Sequence, residues 1–158
     1  MAAFYDTCKV FVCSLGLCVG GGWLTGLLTQ HGVKEWYPQL IKPYGTPPNA
    51  LFPIVWTLLY IFMAAAFTIV WRGKSEKRTK ALFFFFAQLF LNFTWSWLFF
   101  YHKSPGYALV DIAFLLLFIG LTVGTLWKEH RIAAYLLLPY MLWVSYATYL
   151  NLFIWIYN

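Results

Sequence analysis

Residues 36–60 read WYPQLIKPYGTPPNALFPIVWTLLY, from Trp36 to Tyr60. Five of the seven prolines fall here: Pro38, Pro43, Pro47, Pro48 and Pro53. The stretch opens on an aromatic pair, Trp36-Tyr37, and closes inside a strongly apolar run. Proline costs least in the first turn of a helix, where its missing N–H has no intrahelical partner. Pro47 and Pro48 therefore mark a helix start, and Pro53 a bend just inside it. The stretch reads as a stiffened, aromatic cap that feeds directly into a hydrophobic helix.

Working outward, the whole chain is apolar. Of its 158 residues, 62% are hydrophobic, 23% aromatic and only 10% charged. A water-soluble domain carries roughly 25% charged residues, so this chain cannot cover a water-facing surface. Runs without formal charge reach the ~20 residues needed to cross a bilayer. They are Val10–Val33, Pro43–Trp71, Ala81–Tyr101 and Ile132–Asn158, with Tyr107–Trp127 interrupted only by Asp111. The fold class is an all-α integral membrane protein: a five-helix transmembrane bundle with the proline-rich loop capping a pocket. The expected helices are 7–30, 46–72, 80–102, 105–128 and 132–157, with the cap at 31–45, in a single domain spanning 1–158. The first run is too long for the apolar region of a signal peptide. It carries Gly22-x-x-x-Gly26, a pattern of close helix contact in lipid, and is read as a retained span.

Charge orders the loops. Five spans put the amino terminus and the loops 72–80 and 128–131 on one side. That side holds Lys9, Arg72, Lys74, Lys77, Arg78, Lys80, Lys128 and Arg131; the other holds Lys34, Lys42 and Lys103. Eight basic residues against three place the amino terminus in the cytoplasm of a plasma-membrane protein. The net charge of +6 is mostly this asymmetry, and nucleic-acid binding is not read from it. The segment RGKSEKRTK serves as a topology determinant or attracts anionic lipid headgroups. Cys8, Cys13 and Cys18 recur every five residues and share no helical face; no CxxC or Cys/His cluster points to a metal. No nucleophile–base pair, metal set or nucleotide loop supports ordinary catalysis, so no catalytic residue is assigned.

Helical spacing then gathers the polar and indole-bearing residues. Trp56, Tyr60 and Met63 share a face of the second helix; Gln88, Asn92, Trp95 and Phe99 share one of the third; Tyr140, Trp143, Ala147 and Asn151, with Leu150 alongside, share one of the fifth. Trp23 lies in the loop-side half of the first helix. Residues Trp36 to Ile41 make a short amphipathic turn, and an interfacial aromatic belt alone accounts for Trp36. Pro139 bends the fifth helix. By depth, indoles and amides from three helices meet beneath the stiff loop, which implies a mostly aromatic ligand pocket. An acid in the membrane is costly. Asp111 either pairs with Lys103 or a loop group, or orients the ligand.

The motifs Trp36-Tyr37, KPxxxPP over Lys42–Pro48, WTLLY over Trp56–Tyr60, LNFTW over Leu91–Trp95, GYALVD over Gly106–Asp111 and LPYMLWVSYATYLN over Leu138–Asn151 occur in this order. Together they resemble the TspO/MBR family over nearly the whole chain. The resemblance implies a five-helix bundle, usually a homodimer. It also implies a pocket under the first loop that accepts porphyrins, sterols and synthetic aromatic ligands. The host would be the cell membrane in a bacterium and the mitochondrial outer membrane in a eukaryote. On that basis Trp143, Trp95 and Trp56 stack on a tetrapyrrole such as protoporphyrin or haem. Tyr60, Asn92 and Asn151 supply polar contacts, Ala147 and Leu150 shape the wall, and Trp23, Trp36 and Asp111 complete the site. The lid is Lys42, Pro43, Tyr44, Gly45, Pro47 and Pro48. No cofactor is required; porphyrin or haem is ligand, and membrane lipids are the other partner.

Two departures from the family stand out. Its loop pattern is KPxWxPP, and the tryptophan position here is Gly45, with Tyr44 next to it as a partial substitute. A loop tryptophan is implicated in light-dependent porphyrin breakdown in some bacterial members, so that activity is weakened here, and Gly45→Trp is expected to tighten binding. The sterol motif of animal members ends in a basic residue, whereas this chain ends NLFIWIYN, so high-affinity sterol binding is not expected. The reading is a carrier, sensor or scavenger of tetrapyrroles. Its rivals are a porphyrin-degrading enzyme and a regulatory scaffold.

Overall fold

The computed structural model describes residues 2–158. It contains five long helices: α1 (Ala2–His31), α2 (Leu51–Arg72), α3 (Arg78–Ser96), α4 (Pro105–Leu126) and α5 (Arg131–Tyr157). All five are long and apolar enough to cross a membrane. Helix is the outcome because a bilayer offers no water to backbone N–H and C=O groups, which a helix satisfies internally.

The ends of the helices differ from the sequence expectation. α1 does not stop near residue 30; it continues through a wide turn, Gly32–Trp36, and a tight one, Tyr37–Gln39. The non-helical cap is therefore 40–50 rather than 31–45. α2 begins at Leu51, so Pro47 and Pro48 precede it, with the Pro48 carbonyl accepting from the Leu51 N–H at 2.9 Å. A residue before proline is pushed out of the helical region, and two successive prolines hold residues 46 and 47 extended. Pro53 takes the third helical position, where no intrahelical bond is lost, so it requires no bend. α3 likewise ends in a wide turn, Trp97–Tyr101.

Around the bundle, α1 packs on α2, α2 on α5, α5 on α4 and α4 on α3, while α1 also meets α3 and its wide turn. α2 and α3 touch across the middle. Met63, Ile112, Leu115, Ile119, Leu137 and Tyr140 fill the interior and are fully buried. At one end Arg72 donates to the Thr7 hydroxyl, Ser75 donates to Glu129 at 2.8 Å and Lys77 lies 3.7 Å from Glu129. At the other end Asn158 brackets Ile41, accepting from its N–H at 2.9 Å and donating to its carbonyl at 3.1 Å. The basic loops thus share one end and the proline loop the other.

Three glycines, Gly21 against the Phe93 ring among them, set how closely α1 and its wide turn approach their neighbours. A Cβ on Gly22 would overlap the Tyr60 ring, and one on Gly32 would overlap the Phe100 carbonyl. Gly22 lets α1 close on α2, and Gly32 lets its wide turn close on the end of α3. Gly26 meets nothing within 4 Å, so the two glycines of Gly22-x-x-x-Gly26 do different things.

Candidate ligand cavity

Above the Gly22–Tyr60 contact the bundle opens into a cavity of about 460 Å³. This lies within the ~300–1,000 Å³ usual for small-molecule sites. Its walls come from α1, α2, the end of α3 and α5. Trp23 and Leu27 on α1 and Pro53 and Thr57 on α2 both line it and are exposed, so it opens along the α1–α2 seam.

Six residues expected at the site do line the cavity: Trp23, Trp56, Tyr60, Trp95, Trp143 and Ala147. Each is held differently. Trp56 lies 5.6 Å from the Tyr60 ring at a 31° tilt and edge-on to Tyr140 at 6.2 Å. Trp95 is buried, with one face stacked on Phe99 at 5.3 Å. Trp143 meets Phe52 edge-on at 5.9 Å. Such offset and edge contacts add about 0.5–1.5 kcal/mol beyond burial, and they hold the indoles at defined angles.

The amides are placed elsewhere. Tyr60 Oη donates to Asn92 Oδ1 at 3.0 Å, and Asn92 Nδ2 donates to Tyr140 Oη at 3.2 Å, linking α2, α3 and α5. Trp95 Nε1 donates to Asn151 Oδ1 at 3.0 Å, and Asn151 Nδ2 donates to the Pro105 carbonyl at 2.8 Å, linking α3, α5 and α4. Asn92 and Asn151 are buried and do not line the cavity. Their polar capacity goes into the walls, because an unpaired amide within the bundle would cost more than a bond to a neighbouring helix returns. Leu150 is likewise buried behind the wall.

Asp111 is buried on α4, off the cavity, and its Oδ2 has no partner among the described residues. The expected ion pair with Lys103 does not form. Trp36 is half-buried, packs edge-on against Phe99 at 5.6 Å and lies outside the cavity.

The lid differs most from expectation. Lys42, Pro43, Tyr44, Gly45, Pro47 and Pro48 do not line the cavity; its upper wall is Asn49, Phe52 and Pro53. Tyr44 is fully exposed and makes no substitute for an indole over the site. Lys42 Nζ donates to the carbonyls of Tyr37 at 2.8 Å, Pro38 at 3.3 Å and Leu40 at 3.0 Å, and sits over the Tyr37 ring. Gly45 has φ +90°, and its carbonyl accepts from Tyr146 Oη at 2.9 Å. The segment is a brace tied to α5, set beside the cavity.

Sequence reasoning missed Gln30, Lys34, Tyr37, Asn49, Phe52, Ser96 and Phe100, all of which line the cavity. For Phe52 and Asn49 the proline pattern held a usable signal, since a helix starting soon after Pro48 puts Phe52 in its first turn and Asn49 just before it. For Lys34 there was none, because it lies in the wide turn after α1, which the sequence did not signal. Among the described residues, no group of three or more His, Cys, Asp or Glu comes together as a metal set.

Comparison with known proteins matches this architecture. The sequence model of the TspO/MBR family matches residues 14–156. The chain is 40% identical to the Tryptophan-rich protein TspO of Chlorobaculum tepidum, over 87% of this chain and 88% of that one. It is 35% identical to the Tryptophan-rich sensory protein of Cereibacter sphaeroides, over 90% and 87%. It is 34% identical to the human Translocator protein, over 90% and 83%.

Proposed function

The chain belongs to the TspO/MBR family of multi-pass membrane proteins, and from that premise we propose that it is a membrane receptor or sensor whose ligand is a hydrophobic tetrapyrrole such as protoporphyrin or haem. One observation carries the reading. Trp56, Trp95 and Trp143, from three different helices, converge on one cavity of about 460 Å³. Indoles offer flat, polarisable faces to a planar aromatic ligand. The amides that would otherwise compete for a polar ligand are already paired within the walls. Names of relatives, one a sensory protein and one a translocator, support signalling or carriage over simple storage.

The basic end of the bundle faces the cytoplasm in a bacterial cell membrane, by the excess of Lys and Arg there. A homodimer is part of the same proposal, and cross-linking at native lipid ratios tests it: a dimer band supports it and monomer alone opposes it. The ligand reading is tested by titrating protoporphyrin into purified protein in the dark. Saturable quenching of tryptophan fluorescence is expected, because four indoles border the site. No quenching at micromolar ligand would overturn the assignment.

A further inference from the structure

The cavity is polar at one end. On α1 its lining climbs from Val19 through Gly22, Gly26 and Thr29 to Gln30, a rise of about 16 Å at 1.5 Å per residue, and continues to Lys34 in the wide turn that follows. On the other side it descends from Asn49, just before α2, through Phe52 and Trp56 to Tyr60 on that helix. Gln30, Lys34 and Asn49 therefore cluster at the loop end, and the indoles and Tyr60 lie deeper. Among the described residues, Lys34 is the one charged residue that lines the cavity.

The neighbouring charges leave Lys34 uncommitted. His31 Nδ1 and Glu35 Oε2 lie 3.3 Å apart across one turn. Lys42 is held by three backbone carbonyls. Lys103 sits in the α3–α4 turn and does not line the cavity. Among the described residues Lys34 has no ion pair and no hydrogen bond to its ammonium group.

The geometry points to Lys34 as a specificity residue: with the planar aromatic body of the ligand among the indoles, its ammonium holds a ligand carboxylate at the loop end of the cavity. This rests on the tetrapyrrole reading and deepens it. A porphyrin bearing propionate side chains has this polarity, whereas an uncharged aromatic of the same size leaves the lysine unused. Lys34 thereby selects acids over esters and sets which end of the ligand points out.

The test crosses the ligand's charge with the residue's. Affinities of protoporphyrin and of its dimethyl ester are measured for wild type, Lys34→Gln, Lys34→Glu and Lys103→Gln. Lys34 is exposed, so its variants should fold. Lys34→Gln is expected to weaken the acid about two- to fivefold, the range for a solvent-exposed ion pair, and Lys34→Glu more. The ester should be unchanged by both, and raised salt should shrink the difference. Lys103→Gln, on the same side of the membrane, should change neither. Equal effects on acid and ester, no effect on the acid, or a matching effect from Lys103→Gln would overturn the inference while leaving the tetrapyrrole reading in place. Failure of the wild type to bind either form would overturn both.

Discussion

The indole N–H of Trp95 donates to Oδ1 of Asn151 at 3.0 Å, and the same amide donates to the Pro105 carbonyl at 2.8 Å. One side chain at the loop end of α5 thus fixes a cavity indole on α3 and the first turn of α4. Pro105 opens α4, so its carbonyl stands where the chain turns back into the bundle. Asn151→Leu should leave the buried Trp95 N–H without a partner and remove the second bond to the Pro105 carbonyl, costing about 1–2 kcal/mol. A lower thermal midpoint in detergent is expected. An unchanged midpoint would mean that the amide does not tie these helices together.

Tyr60 separates a structural hydroxyl from a ligand-binding one. Its Oη donates to Asn92 inside the bundle, while its ring lines the cavity. Tyr60→Phe keeps the ring and should cost about 1 kcal/mol of stability, with protoporphyrin affinity essentially unchanged. A loss of affinity with unaltered melting would place the hydroxyl on the ligand instead.

Trp143 should behave the opposite way. It is half-buried and meets Phe52 through an edge contact, so little of the core depends on it. Trp143→Ala should weaken protoporphyrin binding about fivefold, equivalent to ~1 kcal/mol of aromatic contact, with a small change in melting. Fluorescence titration and a thermal melt on the same preparation read both quantities. Full affinity in this variant and in Trp95→Ala would remove the indoles from the binding site.

Gly45 is constrained by its backbone. At φ +90° any other L-residue is strained, by roughly 1–2 kcal/mol in the left-handed region, although a side chain there would meet open space. The sequence expectation that Gly45→Trp tightens binding changes accordingly. The substitution should instead loosen the loop and raise protease cleavage within 40–50. Tyr146→Phe should loosen it in the same direction without strain, by releasing the Gly45 carbonyl. Wild-type cleavage rates in both variants would show that the brace is held by the prolines alone.

The helical faces were legible from one-dimensional spacing. Gln88, Asn92, Trp95 and Phe99 recur at i, i+4, i+7 and i+11, and all four are buried. Spacing could say that Asn92 and Asn151 faced inward at the right depth. It could not say whether an amide met a ligand or another helix, since that depends on whether Tyr60, Tyr140 or Trp95 comes within about 3 Å. The lid was misplaced for a related reason. Prolines signalled a stiff segment, but stiffness carries no direction, and the bonds to Tyr146 on α5 and to Asn158 just past its end hold it to the side of the cavity.

Composition and the spacing of its charge-free runs determined that this chain lives in a membrane as five helices, because so few charged residues cannot hydrate a surface and each run of about 20 apolar residues satisfies its own backbone as a helix. Which side chains face the cavity was decided by tertiary contact. Gly22 admits the Tyr60 ring and Gly32 the Phe100 carbonyl, and those two approaches bring α1 and its wide turn against their neighbours, where Gln30 and Lys34 line the loop end of the cavity. Such approaches join residues 38 and 68 positions apart, and no local pattern in the chain carries them.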